Sequence, residues 1–243
     1  MKIEFEREKL LQFFFALKEQ ADEGLLVIGN GKLSFHSSDV ANVGFIAAEF
    51  KVETPETLRM AIDVQKFYST LNALKTKTIT IDFGQHCHFK GGKIERDIMS
   101  LVEAVLRAQK DPPPLEYPAI IEVQAVDYIE FLESIEKMGA DEGTLPVKVF
   151  LEYDNKKFTL YSLNELREKT KSEFDMISVE KGEKSKHRSG FSFDYLLKIA
   201  KIIKKTKAEK IKISIGTNFP CQISMENEYL SMTLLVAPRI EDD

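Results

Sequence analysis

The chain has no tryptophan, only two cysteines, and no long apolar run. Each shortage removes a class of protein. No stretch approaches the roughly 20 apolar residues that a membrane-spanning helix needs. Cys87 and Cys221 lie far apart and form no C-x-x-C, which argues against a disulfide framework and fits a reduced, cytoplasmic chain. The first residues, MKIEFEREKLLQFFF, place acids before the apolar run and offer no small-residue cleavage site, so no signal peptide is expected. The phosphate-cradling and nucleophile motifs G-x-x-x-x-G-K-[ST], G-x-G-x-x-G and G-x-S-x-G are missing too, and the expectation is a protein without catalysis and without a cofactor. Positive charge is also short overall. The formal net charge is −5, which argues against a protein that simply coats nucleic acid but leaves room for a basic face.

What is present is a core and a repeat. The 243 residues suffice for one large domain or two small ones, and 43% are hydrophobic, enough to build a core. Four segments carry apolar residues at the i, i+3, i+4, i+7 spacing of an amphipathic helix. They are Leu10, Phe13, Phe14 and Leu17; Val64, Phe67, Tyr68 and Leu71; Tyr128, Phe131, Leu132 and Ile135; and Leu196, Ile199, Ala200 and Ile203. Three of them open alike, DVQKFYSTL at 63, DYIEFLESI at 127 and DYLLKIAKI at 194, with an acid suited to the first helical turn. After each helix the period becomes extended. GLLVIGNGKLSFHS reads as a hairpin turning at Asn30-Gly31, and PVKVFLEYDNKKFTLYSL as another near Asp154-Asn155. The stretches after residues 77 and 209 each give three short strands. Helix-plus-antiparallel-strand units recurring in this way are the mark of internal duplication in an α+β fold. Three prolines at 112–114 suit a stiff connector and not an element interior. Two similar domains are therefore expected, 1–102 and 117–243, joined by 103–116.

Charge is concentrated on the fourth helix. Lys198, Lys201 and Lys205 share its free face, and Lys204, Lys207, Lys210 and Lys212 extend the cluster. Such a face is either solvated or turned to phosphates, and lysine, a point charge without a bidentate fork, suits sequence-blind contact. No aromatics interleave with it, so base stacking is not indicated. His86 and His88 share a strand face beside Cys87, but two imidazoles do not close a zinc site.

Four stretches, ALKEQADEG at 16, SSDVANVGFI at 37, the FPCQISMENEYLSMTLLVAP hairpin and the terminal APRIEDD, together resemble the sliding clamps of DNA replication, the proliferating cell nuclear antigen (PCNA) family, most closely its archaeal forms. The resemblance runs in order along nearly the whole chain. It implies a ring-forming homotrimer with pseudo six-fold symmetry, helices around a hole that passes double-stranded DNA, and sheets outside. It implies a processivity factor, cytoplasmic and nucleoid-associated, that recruits DNA polymerase, clamp loader, flap endonuclease and ligase through short motif peptides for replication and DNA repair. Carried over by position, the peptide groove takes Ser38, Val40, Asn42, Val43, Leu106, Leu115, Pro220, Leu235, Ala237, Pro238 and Ile240. The DNA-facing cations are Lys18, Lys66, Lys75, Lys137, Lys198, Lys201 and Lys205. Subunit edges fall at Ile94 to Leu101 and Ser172 to Glu180, with Ile94, Ile98, Met99, Phe174, Met176 and Ile177 as their apolar content. The chain departs from the family at Glu130 and Glu133, where basic residues are usual, and at Ser69 and Asn72. Two other readings stay open: a subunit of a heterotrimeric or checkpoint-type clamp, and a metal-dependent enzyme using His86 and His88.

Overall fold

A computed structural model describes residues 1–106, 114–154, 157–164, 167–182 and 185–239. The connector residues 107–113, the Asn155 side of one hairpin turn, two residues of the loop after 181, and Ile240 lie outside the described residues. Four α-helices and seventeen strands are present among the described residues, and their order shows one motif four times. In each repeat a strand runs directly into a helix, and three strands follow. The first repeat is β1 (Lys2–Glu6), α1 (Arg7–Gln20), β2 (Glu23–Gly29), β3 (Lys32–Ser38) and β4 (Gly44–Lys51). The second is β5 (Leu58–Asp63), α2 (Val64–Ala73), β6 (Thr78–Asp82), β7 (His86–Gly91) and β8 (Ile94–Met99). The third is β9 (Ala119–Gln124), α3 (Ala125–Glu142), β10 (Lys148–Asp154), β11 (Lys157–Leu163) and β12 (Lys169–Phe174). An extra strand, β13 (Met176–Lys181), precedes the fourth: β14 (Lys186–Ser192), α4 (Phe193–Thr206), β15 (Lys210–Ile215), β16 (Cys221–Glu226) and β17 (Leu230–Val236).

The chain forms two compact units. The first is Met1–Asp111 with Glu226–Met232, and the second is Pro112–Met225 with Thr233–Asp243. Within each unit the two repeats exchange their leading strands. In the first, β1 pairs with β6 and β5 with β2, both antiparallel. In the second, β9 pairs with β15 and β14 with β10, again antiparallel. Each leading strand thus completes the sheet begun by the hairpin of the other repeat, so neither repeat can close its sheets alone. The short segment Glu226–Met232 joins the first unit through Tyr229. Its hydroxyl donates to the Gln12 amide oxygen, its ring meets Phe50 edge-on at 5.8 Å, and its carbonyl accepts from the Lys51 amide at 2.9 Å.

The helices form because their apolar residues recur at helical spacing. All four bury their fourth, seventh, eighth and eleventh positions: Leu10, Phe13, Phe14 and Leu17 in α1; Phe67, Thr70, Leu71 and the C-capping Leu74 in α2; Tyr128, Phe131, Leu132 and Ile135 in α3; Leu196, Ile199, Ala200 and Ile203 in α4. This common frame corrects the likeness of the three aspartates. Asp63 is the N-cap of α2 and accepts from the Lys66 amide at 2.9 Å, whereas Asp127 and Asp194 lie inside the first turns of α3 and α4. The acids are not equivalent, and the true repeat is in the buried stripe. Sequence reading also passes over β1, β4, β5, β9 and β14. The leading strands β1, β5, β9 and β14 run straight into a helix, which cuts off their period of two.

Both cysteines are free and buried, Cys87 on β7 and Cys221 on β16. Burial pushes each thiol above its ordinary range, which disfavours the reactive thiolate. Neither thiol should react with a disulfide reagent near pH 8 in the native protein, and both should titrate after unfolding in guanidinium. Fast native labelling would contradict the burial described.

Candidate interaction surfaces

The loop after β3 is organised by Asp39. Its carboxylate accepts from the amides of Val43 (2.8 Å) and Gly44 (3.1 Å), while the Asn42 amide donates to the Asp39 carbonyl at 3.1 Å. Asn42 takes a left-handed conformation at φ 55°, which asparagine tolerates better than most residues. The turn leaves Val40 with 66% of its surface in solvent, an apolar side chain held outward by a fixed frame. Ser38 and Val43 are half-buried and Asn42 is exposed on the same loop.

In the second unit the chain leaves β17 through Ala237 and Pro238, both half-buried, and is then tied down. The Arg239 amide donates to the Gly190 carbonyl at 2.8 Å, and its guanidinium donates to the Val147 carbonyl at 3.2 Å. Ala237-Pro238 thus lies between β17 and an Arg239 tied to the Gly190 carbonyl of β14. Pro220 is half-buried, and Leu235 is buried in the strand. Leu106, after a 3-10 turn at Glu103–Val105, is half-buried in the first unit, as is Leu115 in the second.

Among the described residues, β8 and β12 each stand at a sheet edge. β8 pairs only with β7, and β12 only with β11. Unpaired amides and carbonyls along such an edge favour the addition of another strand. The proposed apolar content divides into exposed and buried positions. Ile94 and Met99 are 56% and 64% exposed, Ile177 is 38% exposed, and Met176 is half-buried. Ile98 and Phe174 instead face inward at 4% each: Ile98 lies opposite buried Cys87, and the Phe174 ring packs on Phe131 and Phe158. The stretch from Ser172 to Glu180 is not one strand either. It breaks at Asp175 into β12 and β13, which pair with β11 and β9 respectively.

The helical faces carry the cations. In the first unit Lys75 is exposed, Lys66 pairs with Asp63 at 3.2 Å, and Lys18 lies over the Phe15 and Tyr68 rings (4.6 and 4.9 Å) beside Glu19. Arg7 turns inward and donates to the Leu71 and Asn72 carbonyls at the end of α2, where a cation complements the helix dipole. In the second unit Lys137, Lys198 and Lys207 are exposed, while Lys201 pairs with Glu136 at 3.2 Å and Lys204 with Glu133 at 2.6 Å. These interhelical pairs were not foreseen, because the sequence gives no register between α3 and α4. His88 is held by Asp97 at 2.8 Å, and no group of three or more potential metal ligands converges among the described residues.

The chain is 20% identical to A. fulgidus PCNA, solved with the C-terminal region of FEN-1, with a TM-score of 0.86 over 100% of this chain and 99% of that one. This is the sliding-clamp fold. A subunit of the Sulfolobus tokodaii PCNA2–PCNA3 complex agrees with it at TM-score 0.80 and 16% identity, covering 99% of this chain and 100% of that one. In sequence the chain is 24% identical to the DNA polymerase sliding clamp of Methanothrix thermoacetophila, over all of both chains, and 27% identical to that of Methanocorpusculum labreanum over 84% of each. A Methanococcus maripaludis sliding clamp reaches 31% over 53% of this chain and 50% of its own. No family model matches. The clamp fold accounts for the fourfold repeat without further assumption.

Parity makes a sharp prediction at the β8 edge. Ile98→Ala should cost about 2–5 kcal/mol in urea unfolding, as a truncation in a packed core does. Met99→Ala should fall within about 0.5 kcal/mol, as exposed substitutions do. Equal costs would contradict the inward placing of Ile98.

Proposed function

We infer that this chain is a DNA sliding clamp, a non-catalytic processivity factor that encircles duplex DNA as a ring of three subunits. The observation that carries the reading is the fourfold strand–helix–three-strand duplication, joined to similarity with DNA polymerase sliding clamps along the whole chain. A ring holds DNA by topology and needs only weak, mobile contact with phosphates. That reconciles a net charge of −5 with service to DNA. In this reading the helices line the hole, and Lys75, Lys137 and Lys198 are the exposed candidates for phosphate contact. The open edges β8 and β12 join successive subunits, with Ile94 and Met99 among the apolar residues covered.

Client proteins would dock short motif peptides on outward Val40 and its loop, and on the anchored Ala237-Pro238 lip. The FEN-1 segment solved on the A. fulgidus protein supports that mode of capture. The working place of such a protein is on DNA, in the cytoplasm at the nucleoid. A second reading, membership of a mixed ring, draws on the similarity to the PCNA2–PCNA3 complex.

Light scattering over a range of concentrations separates the two. A homotrimer gives about 83 kDa, three times the 27.8 kDa of one chain. A persistent monomer would contradict the homomeric ring. Replacing Ala237 and Pro238 by aspartate should weaken capture of a motif peptide at least about tenfold, the effect of losing a buried hot spot, and leave the mass unchanged. Undiminished capture would overturn the lip assignment.

A further inference from the structure

The second unit carries a reciprocal arrangement of charge that the clamp reading does not by itself require. Counted from their first residues, Glu133 and Glu136 are the ninth and twelfth positions of α3, and Lys201 and Lys204 are the ninth and twelfth of α4. The pairing crosses over. Glu133 meets Lys204 at 2.6 Å, with both carboxylate oxygens engaged, and Glu136 meets Lys201 at 3.2 Å. The same positions face each other because the two helices are copies packed as a pair. One copy has filled them with acids and the other with bases. The first unit has no such ladder: its corresponding residues are Phe15, Lys18, Asn72 and Lys75.

We propose that Glu133 and Glu136 set the strength of phosphate contact on the α3–α4 face, by holding Lys204 and Lys201 in ion pairs that compete with DNA. The proposal rests on the clamp reading, in which this face meets the duplex. The four side chains are between 38% and 60% exposed, so the pairs are wet. Pairs of this kind add little stability and exchange readily. A lysine ammonium has no bidentate geometry to satisfy and can leave a carboxylate for a phosphate oxygen and return. Glu130, exposed on the same helix, adds a further carboxylate that repels phosphate. Lys137, Lys198 and Lys207 stand outside the ladder and supply the steady attraction. The acids at 130 and 133 are then a brake on contact, and the seven-lysine cluster is weaker towards DNA than its sequence suggests.

The test is the salt dependence of binding to a short linear duplex, which can enter a ring from its ends, using the full chain. Each lysine released to phosphate steepens the slope of log K against log salt by about 0.9. The double variant Glu133→Gln with Glu136→Gln should bind more tightly at low salt, with a slope steeper than the parent's by up to about 1.8. Adding Lys201→Gln and Lys204→Gln removes both sides of the ladder and should return the slope to the parent value. An unchanged slope in the double variant overturns the proposal. So does a quadruple variant with a slope shallower than the parent's, because those lysines would then already be on phosphate. Salt-independent or absent binding by all three proteins would overturn the proposal but not the clamp reading, because a ring held by topology leaves a linear duplex through its open ends.

Discussion

Each helix must bury one apolar stripe, and it has no partner other than the sheets of its own unit and the helix beside it. From this constraint the architecture follows. A strand–helix–three-strand repeat offers its helix too little sheet. Two repeats, each lending its leading strand to the other, make two sheets and a pair of neighbouring helices. Leu10, Phe13, Phe14 and Leu17 in one repeat, and their counterparts in the other three, fill the same buried frame. A Phe14–Phe67 stack at 5.4 Å joins the stripes of α1 and α2, and the Tyr128 hydroxyl donates to the Leu196 carbonyl between α3 and α4. The opposite helical faces and the free sheet edges are left over, and function is written on those remainders.

Much of this was legible in the sequence. The four stripes name their helices because helical spacing survives in a single chain, and hairpins announce themselves through Asn30-Gly31 and the glycines after Phe83. The leading strands were not legible. Five to seven residues, as in Lys2–Glu6, are too short to stand out beside a helix that begins on the next residue. The aspartate openings misled, since an acid near a helix start serves equally as a cap or as a first-turn charge. Only the capping bond of Asp63 distinguishes the two.

The surfaces show a similar division. Ser38, Val40, Asn42 and Val43 were picked out only by the resemblance, and hydrogen bonds to the Asp39 carboxylate account for the shape of their loop. Strand parity sets Ile98 and Phe174 inward, but it would set Ile94 inward with Ile98, and Ile94 is exposed at the start of β8. The anchoring of Arg239 to Gly190 and the Glu–Lys ladder depend on which strands and helices become neighbours, and no local pattern encodes that. A lysine count overstates a basic face whenever the neighbouring helix supplies the counter-ions.

The central claim is topological: the protein holds DNA by enclosing it. The most direct measurement threads the full chain onto a linear duplex biotinylated at both ends, caps the ends with streptavidin, and washes in salt high enough to screen every phosphate contact. The account predicts that the protein stays on the capped duplex and leaves when a restriction enzyme cuts it. Loss from the intact capped duplex in that wash would contradict enclosure.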